Sequence, residues 1–80
     1  MESIKLKLIY PEDKIKEPIL SRVCKNFDVE INIRKANVTE NIGWLELELT
    51  GNEDQIEQAI KFMEAQGIEV SPLEGQVFLE

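Results

Sequence analysis

The chain has 80 residues, a single domain near the lower end of what folds alone, and its 42% apolar and 31% charged residues are a globular rather than a disordered composition. Nine Lys and Arg against 16 Asp and Glu leave a net charge of −7, which argues against nucleic acid and against an anionic membrane surface, both bound through basic side chains. There is no histidine, so acid–base catalysis near neutrality would need a strongly shifted Glu, Asp or Lys, and an enzyme is disfavoured.

In chain order, Ile4, Leu6, Leu8 and Tyr10 alternate with Lys5, Lys7 and Ile9, the pattern of a half-buried strand that ends at Pro11-Glu12-Asp13. Pro18 suits a first helical turn. Ile19, Leu20, Val23, Cys24 and Phe27 follow with helical spacing, and Ile15 allows an earlier start. Val29, Ile31 and Ile33 alternate with Glu30, Asn32 and Arg34 as a second strand. Its alternation then slips, because Ala36 and Val38 share the parity of Asn32; a bulge or the strand's end near Lys35 accounts for that.

Thr39 to Gly43 reads as a hairpin loop, and Trp44 to Thr50 as a strand with Leu45, Leu47 and Leu49 on one face. Asn52 and Gln55 have the spacing of an N-cap and its partner three residues on. Ile56, Ala59, Ile60 and Met63 form a helical stripe, and Gly67 suits a helix end. Ile68 to Val70 begins a short fourth strand, which Pro72 marks as an edge. Val77-Phe78-Leu79 is a tail or an added edge strand.

The order β-α-β-β-α-β predicts an α+β fold, a ferredoxin-like βαββαβ sandwich with antiparallel sheet order 4-1-3-2 and two helices on one face. Residues 1–80 form one domain, with a core at about 4–73 and residues 74–80 as the tail. On the open face, Lys5 and Lys7 should lie near Glu46 and Glu48, with Asn32 and Arg34 on edge strand two.

Apolar runs such as Leu8-Ile9-Tyr10 span three residues, far short of the roughly 18 of a membrane span. Cys24 is the single cysteine. It excludes an intrachain disulfide and a cysteine-built metal or iron–sulfur site, and its place among apolar residues reads as a small core hydrophobe. No cofactor or metal is expected, and the compartment is read as cytoplasmic.

Ferredoxin-like sheets serve many functions. Base-stacking RNA binders display several aromatics on the open face, and here only Trp44 stands there. The acidic, glycine-free Pro11-Glu12-Asp13 loop would repel phosphate. Trp44 reads equally as structural or as a partner-binding anchor. Asn32 reads as a solvated polar residue or, because asparagine is depleted in strands, as a binding residue.

Glu17-Pro18-Ile19-Leu20-Ser21-Arg22, Phe27 to Ile33, and Gly43 to Gly51 together resemble the NIL domain, over about residues 4–73. That family is found at the C-terminus of methionine ABC importer ATPases and joined to ferredoxin-type domains. Asn32-Ile33-Arg34 departs from Asn-Ile-Leu at its third residue and looks more like the ferredoxin-associated branch. The resemblance implies a dimeric regulatory domain that binds methionine or a related amino acid, with Asn32 in the binding region. Ile33 and Arg34 are the neighbouring ligand-binding candidates. With no P-loop and no cysteine cluster, the chain is expected to be a free-standing domain of this kind. The alternative is an interaction module acting in trans on a transporter or redox protein partner, with Trp44 in the contact.

Overall fold

The computed structural model describes residues 1–73, so the Val77-Phe78-Leu79 segment lies outside the described residues. Strand β1 runs Glu2–Tyr10, helix α1 Ile19–Asn26, β2 Val29–Val38, β3 Gly43–Gly51, α2 Glu53–Ala65 and β4 Glu69–Pro72. A 3₁₀ turn at Glu12–Lys14 separates β1 from α1. The four strands pair antiparallel in the order β2-β3-β1-β4, the expected sandwich read from its other edge.

Period-two alternation decides which face is covered. Ile4, Leu6 and Leu8 stand opposite Leu49, Leu47 and Leu45, and all six are buried under the helices. Ile19 and Val23 from α1, and Ile56, Ala59 and Met63 from α2, close the core, with Ile68 beside them. Phe27 and Phe62 meet at 5.7 Å between ring centroids and tie the two helices at one margin.

Two local readings are corrected. Cys24 is exposed on α1 rather than in the core. Ile19 and Val23, one turn apart, take the inward line of this eight-residue helix. A residue next to Val23 is turned by about a quarter of a circle or more from that line. Asn52 does precede α2, but its side chain makes no cap hydrogen bond. Gln55 instead accepts a hydrogen bond from the Asp28 N–H at 2.9 Å, pinning the turn before β2 to the first turn of α2.

The slip in the second strand is a β-bulge. Ile33 pairs with Leu47 and Lys35 with Glu46, leaving Arg34 as the extra residue. Pairing then continues to Val38 opposite Gly43, so the strand does not end at Lys35. The hairpin is closed by Thr39, whose N–H donates to the Ile42 carbonyl at 2.7 Å and whose hydroxyl accepts from the Ile42 and Asn41 N–H groups. Gly67, at φ +92°, ends α2 in the left-handed region.

Candidate functional site

The sheet face away from the helices carries the polar residues of all four strands. On β1 and β3, Lys5 stands opposite Glu48 and Lys7 opposite Glu46, as the alternation requires. On β2, Asn32 stands opposite Glu48, and Arg34 donates from its guanidinium to the Glu48 carboxylate at 3.0 Å. Asn32 and Arg34 therefore converge on one acidic side chain at the sheet edge, and both are exposed. This cluster offers a carboxylate, a guanidinium and an amide at neighbouring positions of β2 and β3, the donor and acceptor set that a zwitterion needs.

Ile33 is not part of that cluster. It faces the helix side opposite Leu47, beyond the reach of the short α1, and is 52% exposed. Trp44 lies at the other end of the open face, opposite Ile9 on β1 and Asn37 on β2, with the Lys7 ammonium 4.9 Å from its ring centroid. Ile9, Ile42 and Trp44 border a shallow cleft of about 230 Å³ there, which neither Asn32 nor Arg34 lines.

On the helix side, the Glu17-Pro18-Ile19-Leu20-Ser21-Arg22 segment is held by its own ends. Arg22 donates to the Glu17 carboxylate at 2.9 Å and Lys14 lies 3.5 Å from its other oxygen. The Arg22 hydrogen bond, with the Lys14 charge behind it, holds the Glu17 carboxyl below its ordinary value. The segment walls a second, more apolar cleft of about 200 Å³ with Tyr10, Val38 and Gly43. Burial pushes the Tyr10 phenol up, so it stays neutral across the physiological range. Gly43 is required for this wall: a Cβ there would come within 2.9 Å of Ile15 Cγ1 and 3.2 Å of Tyr10 Cβ. Spacing along the chain gave no sign of either cleft, because each is assembled from segments far apart in sequence. Among the described residues, no three His, Cys, Asp or Glu side chains converge to hold a metal ion. No described helix is long and apolar enough to cross a membrane.

Compared with known families, residues 5–72 match the family model of the NIL domain. The chain belongs to the NIL domain family. This NIL domain is 38% identical over 65 residues to methionine import ATP-binding protein MetN 2 of Acinetobacter baylyi, covering 76% of the chain and 19% of that protein. It is 27% identical over 71 residues to methionine import ATP-binding protein MetN of Helicobacter pylori, covering 84% of the chain and 22% of that protein. The chain thus spans about a fifth of the length of these curated relatives. In fold, the NIL domain is similar to the crystal structure of the C-terminal domain of an ABC transporter ATP-binding protein from Enterococcus faecalis. The TM-score is 0.78 at 24% identity, over 90% of this chain and 84% of that one. A de novo designed protein, Ferredog-Diesel, shares the fold at a TM-score of 0.53 and 20% identity, over 90% of this chain and 84% of its own.

Proposed function

We propose that this NIL domain is a regulatory module without catalytic activity that binds methionine or a related sulfur amino acid on the cytoplasmic side of the membrane. The observation that carries the reading is the edge cluster of Asn32, Arg34 and Glu48, standing on a NIL sequence whose curated relatives are named as methionine import proteins. Glu48 accepts from an α-ammonium, Arg34 donates to an α-carboxylate, and the Asn32 amide serves either group. The Arg34–Glu48 pair is exposed, so opening it to admit a zwitterion costs little. Backbone groups on the outer side of β2 add further donors and acceptors.

The test is calorimetry with methionine, homocysteine, cysteine and aspartate. The expected outcome is binding of at least one of the sulfur amino acids. Asn32→Ala should weaken it by about ten- to hundredfold, the cost of one or two hydrogen bonds to charged groups. The same substitution should change stability by less than about 1 kcal/mol, because Asn32 is exposed. Tighter binding of aspartate than of methionine would assign Arg34 the role of selecting an anionic side chain. No heat with any of the four, from folded protein, sinks the reading.

A second reading is favoured by the Trp44 end of the sheet. Ile9 and Ile42 are 40% and 51% exposed beside Trp44, an apolar patch suited to an anchor for a transporter or ferredoxin-type redox protein. The two readings separate in a thermal-shift screen. A sensor is stabilised by its ligand, and a docking module is indifferent to every amino acid.

A further inference from the structure

The cleft at the Trp44 end of the open face lies away from the edge cluster, and its walls are largely apolar. Ile9 and Ile42 are 40% and 51% exposed there, with Trp44 beside them. Among the described residues that line it, Lys7 is the one charged side chain, its ammonium 4.9 Å from the Trp44 ring centroid. At about 230 Å³ the cleft is smaller than the roughly 300–1,000 Å³ of drug-sized sites, room for one or two side chains rather than a whole small molecule. An exposed apolar patch with a polar rim is suited to contact with another polypeptide segment.

The chain itself supplies a segment of matching chemistry. Beyond β4 the sequence reads Glu74-Gly75-Gln76-Val77-Phe78-Leu79-Glu80, three consecutive apolar residues and two carboxylates with no Lys or Arg. The register of β4 on β1 starts this segment close to the cleft. Ile9 pairs with Glu69 and Leu6 with Pro72, and the Leu73 N–H donates to the Lys5 carbonyl at 3.1 Å. From Lys5 to Lys7, the near wall of the cleft, is about 7 Å along β1, and to Ile9 about 13 Å. From Leu73 to Phe78 is up to about 17 Å of extended chain. With Glu74-Gly75 spent on a reversal, which glycine favours, the steps from Gln76 to Phe78 still cover the distance back to Lys7.

We infer that Val77-Phe78-Leu79 of the same chain folds back over β1 and seats Phe78 in the Trp44 cleft, with the Glu80 carboxylate toward the Lys7 ammonium. The short tether holds the segment at about millimolar effective concentration, so a weak contact suffices. Phe78 against Trp44 adds an aromatic pair to the burial of Ile9 and Ile42. The surface thus carries its own cover, and a transporter or redox protein that docks on Trp44 has to displace it first. That consequence rests on the docking reading above; the contact itself does not.

Trp44 is the single tryptophan, so the test is its emission and its quenching by acrylamide in the full 80-residue chain, with NOEs measured on the same protein. The expected result is NOEs from the Phe78 ring to the Trp44 indole and to the Ile9 and Ile42 methyls. Phe78→Ser should red-shift the emission and raise the quenching, with far-UV circular dichroism unchanged. Ile42→Ser, at an exposed position on the facing wall, should weaken the Phe78–Trp44 NOEs. A peptide of residues 74–80 added to the Phe78→Ser protein should reverse the quenching change, with half-saturation at about millimolar concentration. NOEs from Phe78 to β4 alone would lay the segment along the β4 edge and overturn the inference. NOEs between differently labelled chains in a mixed sample would give the cleft to a second copy, and would overturn it too. So would emission and quenching identical in wild type and Phe78→Ser. None of these outcomes touches the docking reading, which the thermal-shift screen decides.

Discussion

Glu17 accepts from both Arg22 and Lys14, and its folded carboxyl titrates below the ordinary value as a result. A depressed folded value means that the unfolded chain takes up the proton first. The contribution of Glu17 is therefore complete above its unfolded value and is lost as pH falls through the folded one. The gap in melting temperature between wild type and Glu17→Gln should be full at pH 7. It should begin to close below about 4.3 and vanish at lower pH. Leu47 is the opposite kind of residue, 1% exposed at the centre of β3 between Leu6 and Ile33. Leu47→Ala should cost about 2–5 kcal/mol in a denaturant titration, the transfer and cavity terms together. Leu47 was legible in the sequence because a leucine at every second residue has one physical reading. Cys24 was not, because a short helix buries only one line of side chains and Ile19 and Val23 already occupy it.

Among the elements, β2 was the most and least legible at once. Its parity slip left a bulge or the strand's end as alternatives, the register decides for the bulge, and the bulge lets Arg34 reach Glu48 from an edge strand whose neighbour Asn32 already faces it. The wall of the helix-side cleft was illegible, since it depends on how Ile15, just past the 3₁₀ turn, meets Gly43 at the end of the β2–β3 hairpin, a contact with no sequence periodicity. Asn32 stood out as an asparagine inside a strand before the resemblance singled it out; its place opposite Glu48 needed the register. Chain reversal at the end of α2 is simpler. Gly67 has φ +92°, and a Cβ there would only touch Pro11 Cγ at 3.7 Å. The cost of a side chain at this position is therefore backbone strain rather than crowding. Gly67→Ala should lose about 1–2 kcal/mol, and Gly67→Asn should lose less, since asparagine tolerates the left-handed region better. Equal losses for the two variants would point to contacts instead.

At the scale of the whole molecule, the sandwich leaves β2 as an open edge of ten residues, with Ile33 and Val38 more than half exposed beside it. An uncovered strand of this length is a template for pairing with a second copy. Two features oppose it: the bulge at Arg34 divides the edge into shorter runs, and each chain carries a net charge of −7. The bulge limits strength, while the charge sets the salt dependence, because repulsion between two acidic domains is screened within about 8 Å at physiological ionic strength and within about 3 Å at 1 M. Burial of Ile33 and Val38 is not weakened by salt in the same way. A two-fold dimer of weak affinity is therefore expected, with self-association that strengthens as sodium chloride is raised. Sedimentation velocity at high micromolar protein should show the dimer fraction rising with salt. Ile33→Lys should return the protein to a monomer with its melting temperature nearly unchanged, since Ile33 is exposed in the isolated chain. A strict monomer at high salt and high concentration would remove the β2 edge as an interface, and would require the Asn32 cluster to bind its ligand within a single chain.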